Sequence, residues 1–384
     1  MPRRTPLSST RRLRLPAAAL FAAAAATATT GLPAQAAPVP GGGTAVVASG
    51  LDNPRHLTFG PDGTLYIAES GRGGAGPCAA SPEGGTACLG LSGAVTSVRW
   101  HGRAVQQRRI ITGLPSTADQ DGSSASGPAD VAVTGRGQIA VVIGLGGNPT
   151  SRAAFGPNAA KMGTVVKANI NRPGKLTVVS DVAAYEAKAN PDGGEVDSNP
   201  SSILRVGNRY VVADAGGNDL VSVGKKSSST LAVFPDRIVT TPPGSGLPPQ
   251  IPMEAVPTAV AIGPDGAYYV SELTGFPFPK GASTIWRVVP GRAPTAYATG
   301  LTNVTDLTWA GGKLYAVQLA NDGLLAAQGL PMGSLVQVST TGAHRVVATD
   351  LPAPYGVAVQ GGSAYVTTCA VCAGGGAVLR VSLR

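Results

Sequence analysis

The stretch NPRHLTFGPDGTLYIAE, residues 53–69, reads as two short strands folded about a tight turn. Apolar residues alternate on both sides of Gly60-Pro61-Asp62-Gly63, the composition of a β-hairpin. The pattern recurs five times: GPADVAVTGRGQIAVVIG (127–144), NPSSILRVGNRYVVAD (199–214), VPTAVAIGPDGAYYVSE (256–272), NVTDLTWAGGKLYAVQ (303–318) and APYGVAVQGGSAYVTT (353–368). Self-similarity at this scale marks a repeat architecture in which each copy buries its apolar face only against its neighbours.

A third strand is expected after each hairpin, over 93–100, 163–170, 218–225, 283–290, 333–340 and 376–383. A fourth follows five of them, over 105–114, 176–182, 230–234, 295–301 and 345–351. The last copy has no fourth strand of its own. TAVVASGL (44–51) matches TAYATGL (295–301) and HRVVATDL (344–351) in kind, so the beginning of the chain is expected to complete the last copy. Such a ring removes the open edge that a solenoid would leave. The fold class is therefore all-β: a six-bladed β-propeller of four-stranded antiparallel blades, closed by the N-terminal strand. Composition agrees, with 53 Gly, 32 Pro, 43% hydrophobic and 13% charged residues in 384.

Three segments are distinguished: a signal peptide over 1–36, a flexible linker over 37–43 and one propeller domain over 44–384. Arg3, Arg4, Arg11, Arg12 and Arg14 precede an Ala-rich apolar stretch, and Ala34-Gln35-Ala36 is an A-x-A cleavage site. Arg11-Arg12 fits a twin-arginine signal or an ordinary secretory one alike. A secreted, extracellular protein without a membrane span in its mature chain is expected. The formal charge of +9 shrinks once 1–36 is set aside, leaving 25 Lys and Arg against 21 acids. The basic residues form no run, which argues against nucleic acid as a partner; a monomer is expected. Four cysteines in an exported chain imply two disulfides. Three pairings of Cys78, Cys88, Cys369 and Cys372 are open, and proximity favours the local one.

Repeat starts at 54, 128, 200, 257, 304 and 354 lie 74, 72, 57, 47 and 50 residues apart, where a bare blade needs about 40–50. The excess falls in insertions at 70–92, 115–127, 145–162, 183–199, 240–256 and 273–282. All lie at junctions that share one face of the ring, where binding is expected. Inner-strand starts place His56, Asp130, Ser202, Thr258, Asp306 and Tyr355 near the axis; second-strand ends place Glu69, Asp214, Glu272, Gln318 and Thr368 there. Oxygen ligands around an axis suit Ca²⁺ or another divalent cation. His56, Glu69, Asp130, Asp214, Glu272 and Asp306 are thus the candidate ligand or metal residues, although acids at strand ends also cap backbone N–H groups. DQDGSSASGPAD (119–130) and NPDGGEVDSNP (190–200) lack the EF-hand spacing and read as turns. Gly-rich loops 144–149 and 214–219 have the composition of anion nests. Phe276-Pro277-Phe278-Pro279 places rings on an exposed loop, for contact with a ligand or partner or for packing over the disc. Neither a G-x-S-x-G elbow nor H-E-x-x-H is present.

The hairpin pattern Pro-x-x-apolar…Gly-x-Asp-Gly-x-Leu-Tyr-Ile-Ala-Glu resembles NHL-repeat propellers, streptogramin lyases and six-bladed lactonases. Residues 49–78, 89–95, 183–200 and 212–220 resemble more closely the ScyD/ScyE family of exported propellers, over essentially 44–384. That resemblance implies a propeller and carries over no catalytic residues. Two functions follow as expectations: a binding module for a small molecule, glycan or protein on the loop-rich face, or a metal-dependent hydrolase, lactonase or lyase using the axial acids.

Overall fold

The computed structural model describes residues 44–81, 85–102, 104–241 and 246–383. The proposed signal peptide and linker lie outside these residues. The chain forms six four-stranded antiparallel units arranged as a β-propeller. Blade 1 runs Pro54–Phe59, Leu65–Glu69, Thr86–His101 and Ala104–Ala118 from the inside outwards. Blades 2 to 5 repeat the order and begin with Pro128–Gly135, Pro200–Val206, Pro257–Ile262 and Val304–Ala310. In blade 6 the order is Val357–Gln360, Ser363–Thr368, Gly376–Ser382, then Thr44–Leu51 from the other end of the chain. Thr44 pairs with Val381 and Leu51 with Gly376, antiparallel.

Apolar alternation sends side chains out of both faces of every sheet, so each blade packs on both neighbours. Leu57, Leu65 and Ile67 of blade 1 pack with Ala358, Tyr365 and Val378 of blade 6, and Ala48 and Leu51 join them. Separate clusters of buried residues join the other neighbouring pairs of blades. The hydrophobic stabilisation is thus distributed around the ring, with no single central core.

Two details depart from the sequence reading. The outer hairpin of blade 1 extends beyond the expected 93–114, reaching from Thr86 to Ala118. Its extension carries Cys78–Ala80 as an added strand, with Cys78 opposite Cys88. The insertion at 183–199 contains a helix, Val182–Ala189, whose sequence holds four alanines, Glu186 and Lys188. Asp181 caps its start by accepting from the Ala184 N–H at 2.9 Å, and Asn190 ends it with a left-handed backbone. Finally, of the two readings of the Phe276–Pro279 loop the packed one fits: Phe278 is buried and its ring meets Phe276 edge-on.

Disulfides join Cys78 to Cys88 and Cys369 to Cys372, the local pairing, and indicate folding in an oxidising compartment. Among the described residues no helix is long and apolar enough to cross a membrane.

Candidate functional site

Each inner strand starts at the same register position, usually a proline, and the next two residues take different directions. The first of them are Arg55, Ala129, Ser201, Thr258, Thr305 and Tyr355; the second are His56, Asp130, Ser202, Ala259, Asp306 and Gly356. Arg55, Ala129, Ser201, Thr258 and Tyr355 line an axial cavity walled by the inserted loops. His56, Asp130, Ser202 and Asp306 line a second cavity, with Phe59, Ile262, Trp309 and Val359 towards the tight turns of the other face. The single ring expected on the loop-rich face is therefore two layers facing opposite ways. Alternation along a strand separates neighbours, and a register shift at this point in blades 1 to 5 adds a local twist.

The lower layer ties blades together. Asp130 Oδ2 accepts from the Ile203 N–H of the next blade at 2.9 Å and from the Ser202 hydroxyl at 3.0 Å, while its Oδ1 accepts from Val131 N–H at 2.6 Å. Asp306 repeats the geometry, accepting from Val357 N–H and Leu307 N–H, both at 2.7 Å. These carboxylates satisfy inner-strand donors that face the axis and have no sheet partner there. His56 Nδ1 lies 3.1 Å from Asp306 Oδ2, and its ring meets Tyr355 edge-on. Burial disfavours the imidazolium, but the charge and hydrogen bond of Asp306, helped by Asp130 and opposed by Arg55, hold the His56 pKa above its ordinary value. Burial raises Asp130 to about 6, against the pull of the His56 charge. In proton NMR titrations, His56 should therefore titrate above the ordinary range near 6.5, and Asp306→Asn should bring its pKa down. An Asp306→Asn protein with an unmoved His56 pKa would contradict this coupling.

The ends of the second strands are also committed. Glu69, fully buried, accepts from Arg109 at 2.6 Å, Thr96 at 2.5 Å and the Asp52 N–H at 2.8 Å. Glu272, equally buried, receives both Arg237 Nη atoms, the Trp286 indole N–H and the Thr284 N–H. Asp214 accepts from Ser198 Oγ and Asn199 N–H, both at 2.6 Å. Gln318 accepts from Thr302 N–H and donates to Ser334 Oγ; Thr368 Oγ1 faces the Ala377 carbonyl at 3.5 Å. These residues hold incoming loops onto blade ends, and among the described residues no three His, Cys, Asp or Glu side chains form a finished metal-ligand set.

The loop-face cavity also holds polar groups that lack partners. Arg55 is buried, donates from Nε to Ser70 Oγ and from Nη2 to the Ala125 carbonyl, and lies 4.7 Å over the Tyr355 ring. It has no carboxylate partner among the described residues, and no hydrogen bond from its Nη1 is found there. On the same cavity wall, Asp197 Oδ1 is buried without a donor. Burial and the charges of Asp214, Glu195 and Asp192 raise Asp197 to about 7. Ser124, Ser126, Asn199 and the backbone at Gly127, Gly144, Gly146 and Gly216 complete the wall. A methyl at Gly127 would stand 2.2 Å from the Ser70 carbonyl oxygen, which explains glycine where two loops cross. Sequence reading passed over Arg55 and Asp197. Aligning the repeats by one more column would have isolated Arg55, the lone cation among Ala, Ser, Thr and Tyr. The loop 214–219 does not form an anion nest, because Asp197, Glu186 and Asp219 lie against it.

No family model matches the chain, and no curated protein matches it. Among solved structures it is similar to virginiamycin B lyase from Staphylococcus aureus, at 9% identity and a TM-score of 0.44 over 89% of this chain and 99% of that one. A gluconolactonase from Xanthomonas campestris gives 9% identity and 0.49 over 89% of each chain. A structure described as glucose dehydrogenase gives 14% identity and 0.48 over 88% of this chain and 99% of that one. Such identities and scores carry nothing about activity, and the six-bladed architecture stands on the chain's own sheet order.

Proposed function

We propose that this protein is an exported binding propeller that holds a small organic acid in the axial cavity of its loop-rich face. The observation that carries this reading is Arg55: a guanidinium held in place by Ser70, Ala125 and Tyr355, with no carboxylate partner among the described residues. A buried cation without a counter-ion favours an anionic ligand group, and the guanidinium fork suits a carboxylate. Asp197, which lines the same cavity, would take a donor such as a hydroxyl or amine, so a hydroxy or amino acid matches both groups. Membership of the ScyD/ScyE family, export through the N-terminal signal and secretion belong to the same proposal. They rest on the loop sequences quoted above and on the disulfides.

Ligand-detected NMR with a panel of hydroxy and amino carboxylates tests it. Binding by the wild type should be lost in Arg55→Gln and reduced at least tenfold in Arg55→Lys, which keeps the charge and loses the fork. Equal binding of the corresponding neutral amides, or unchanged binding in Arg55→Gln, would overturn it.

A second reading is favoured by Asp197 alone. A carboxylate whose buried Oδ1 has no donor among the described residues, in one cavity with a cation, has the makings of a general acid or base. Turnover of a bound acid by the wild type, lost in Asp197→Asn with binding retained, would make the protein an enzyme of the lyase or hydrolase kind.

A further inference from the structure

Beside the axial cavity, the helix Val182–Ala189, the loop after it and the turn 214–219 bring Glu186, Asp192, Asp197, Asp214 and Asp219 together. Each of Glu186, Asp197 and Asp219 is pushed upward, by burial first and then by the charges of the others; Glu186 reaches about 8. No Lys, Arg or His among the described residues forms an ion pair with any of the five. Asp214 is fully engaged as a cap, and Asp192 accepts from Gly194 N–H and Asn218 Nδ2. Glu186 and Asp219 differ. Both are more than nine-tenths buried, and among the described residues Glu186 Oε1 and Asp219 Oδ1 have no hydrogen-bond partner, Asp219 Oδ2 accepting only from the Thr230 hydroxyl at 3.4 Å.

Both carboxylates converge on one spot at Gly217. A methyl there would stand 2.9 Å from Glu186 Oε2 and 3.6 Å from Asp219 Oδ1. The backbone at Gly217 is not left-handed, so conformation does not require glycine; a side chain there would crowd Glu186, whose carboxylate has no donor among the described residues, and would approach Asp219, whose Oδ2 has the Thr230 hydroxyl at 3.4 Å. Leaving buried carboxylates short of donors and without a counter-charge is costly. A hard cation resolves that cost, because it needs no proton from its ligands.

We propose that Glu186 and Asp219 hold a calcium ion beside Gly217, braced between the Val182–Ala189 helix and the start of the strand Asp219–Val223. Two carboxylates fall short of a three-acid set, and Ca²⁺ does not require one: it takes six to eight oxygens and accepts backbone carbonyls, amide oxygens and water. Gly216 of the same turn lines the axial cavity, so the ion would also stiffen one wall of the ligand site, though it does not depend on that site's function.

Calcium chloride added to chelator-treated mature protein is the test, read by calorimetry and by melting temperature. One ion per chain should bind, and at a hundredfold excess over Kd the melting temperature should rise by about 5 °C. Glu186→Gln and Asp219→Asn should each weaken Ca²⁺ at least tenfold while melting no lower than wild type without calcium, since each removes a like charge. Gly217→Ala, which changes no charge and fills the gap, should weaken it likewise. Absence of a calcium response in the wild type, or responses of equal size in all three variants, would overturn the proposal.

Discussion

A chain beginning after residue 51 is expected to lose the cooperative fold of the whole propeller. Thr44–Leu51 contributes the outermost strand of the blade whose other three strands are the last in the sequence. Without it, Gly376–Ser382 becomes an open edge whose N–H and C=O groups template pairing with other chains. Leu51, fully buried, and Ala48 also leave the cluster that joins blade 6 to blade 1. Leu51→Ala alone should cost about 2–5 kcal/mol, and the deletion loses that packing together with a whole hydrogen-bonded ladder. The ring multiplies the consequence, because blade 6 is where both ends of the chain meet. The deleted protein should elute as aggregates on gel filtration and show no sharp melting transition. A monomer that melts cooperatively within a few degrees of the full chain would show that the five remaining blades and a three-stranded sixth suffice.

That closure was legible in the sequence because it rests on a period. Strand alternation, hairpin turns and the missing sixth outer strand are regularities of the chain, and all survive in the sheets. The local disulfides followed from short separations. The site was less legible, for a physical reason. An acid near the axis reads the same whether it binds a ligand or a neighbouring N–H, and only the partner decides. Asp130, Asp306, Glu69 and Glu272 turn out to hold blades and loops together. Conversely, Arg55 and Glu186 look ordinary in sequence and become conspicuous only by the partners they lack. Assigning His56 and Tyr355 to one ring failed because adjacent strand residues face opposite cavities. The helix after Asp181 could have been found: Asp-Val-Ala-Ala-Tyr-Glu-Ala-Lys-Ala-Asn carries a cap, helix formers and a terminator in order.

Replacing Arg237 by alanine is expected to destabilise the protein by about 3–5 kcal/mol, the range for stranding one member of a buried pair. Arg237 opens a short hairpin that belongs to no blade, Arg237–Thr240 paired with Gln250–Met253, and reaches back to Glu272. Its two Nη atoms contact the two carboxylate oxygens at 2.8 and 2.7 Å, and Nη2 also donates to the Ala282 carbonyl. Glu272 is fully buried, so the variant leaves a carboxylate with the Trp286 and Thr284 donors but no counter-charge. Burial already holds Glu272 above the ordinary carboxylate range despite Arg237; losing the guanidinium lifts it further. A carboxylate raised in the folded state binds a proton more tightly there than in the unfolded chain, so stability falls as pH rises through the folded pKa. The variant's deficit relative to wild type should therefore be small near pH 4, below the unfolded value, and grow towards neutrality. Urea unfolding at pH 5 and pH 8 reads the difference directly. Adding Glu272→Gln to Arg237→Ala should restore part of the loss at pH 8 and little at pH 5, since a neutral amide needs no counter-charge. A deficit equal at both pH values would show that Arg237 acts through packing over Trp286, 5.9 Å from its guanidinium carbon, rather than through charge.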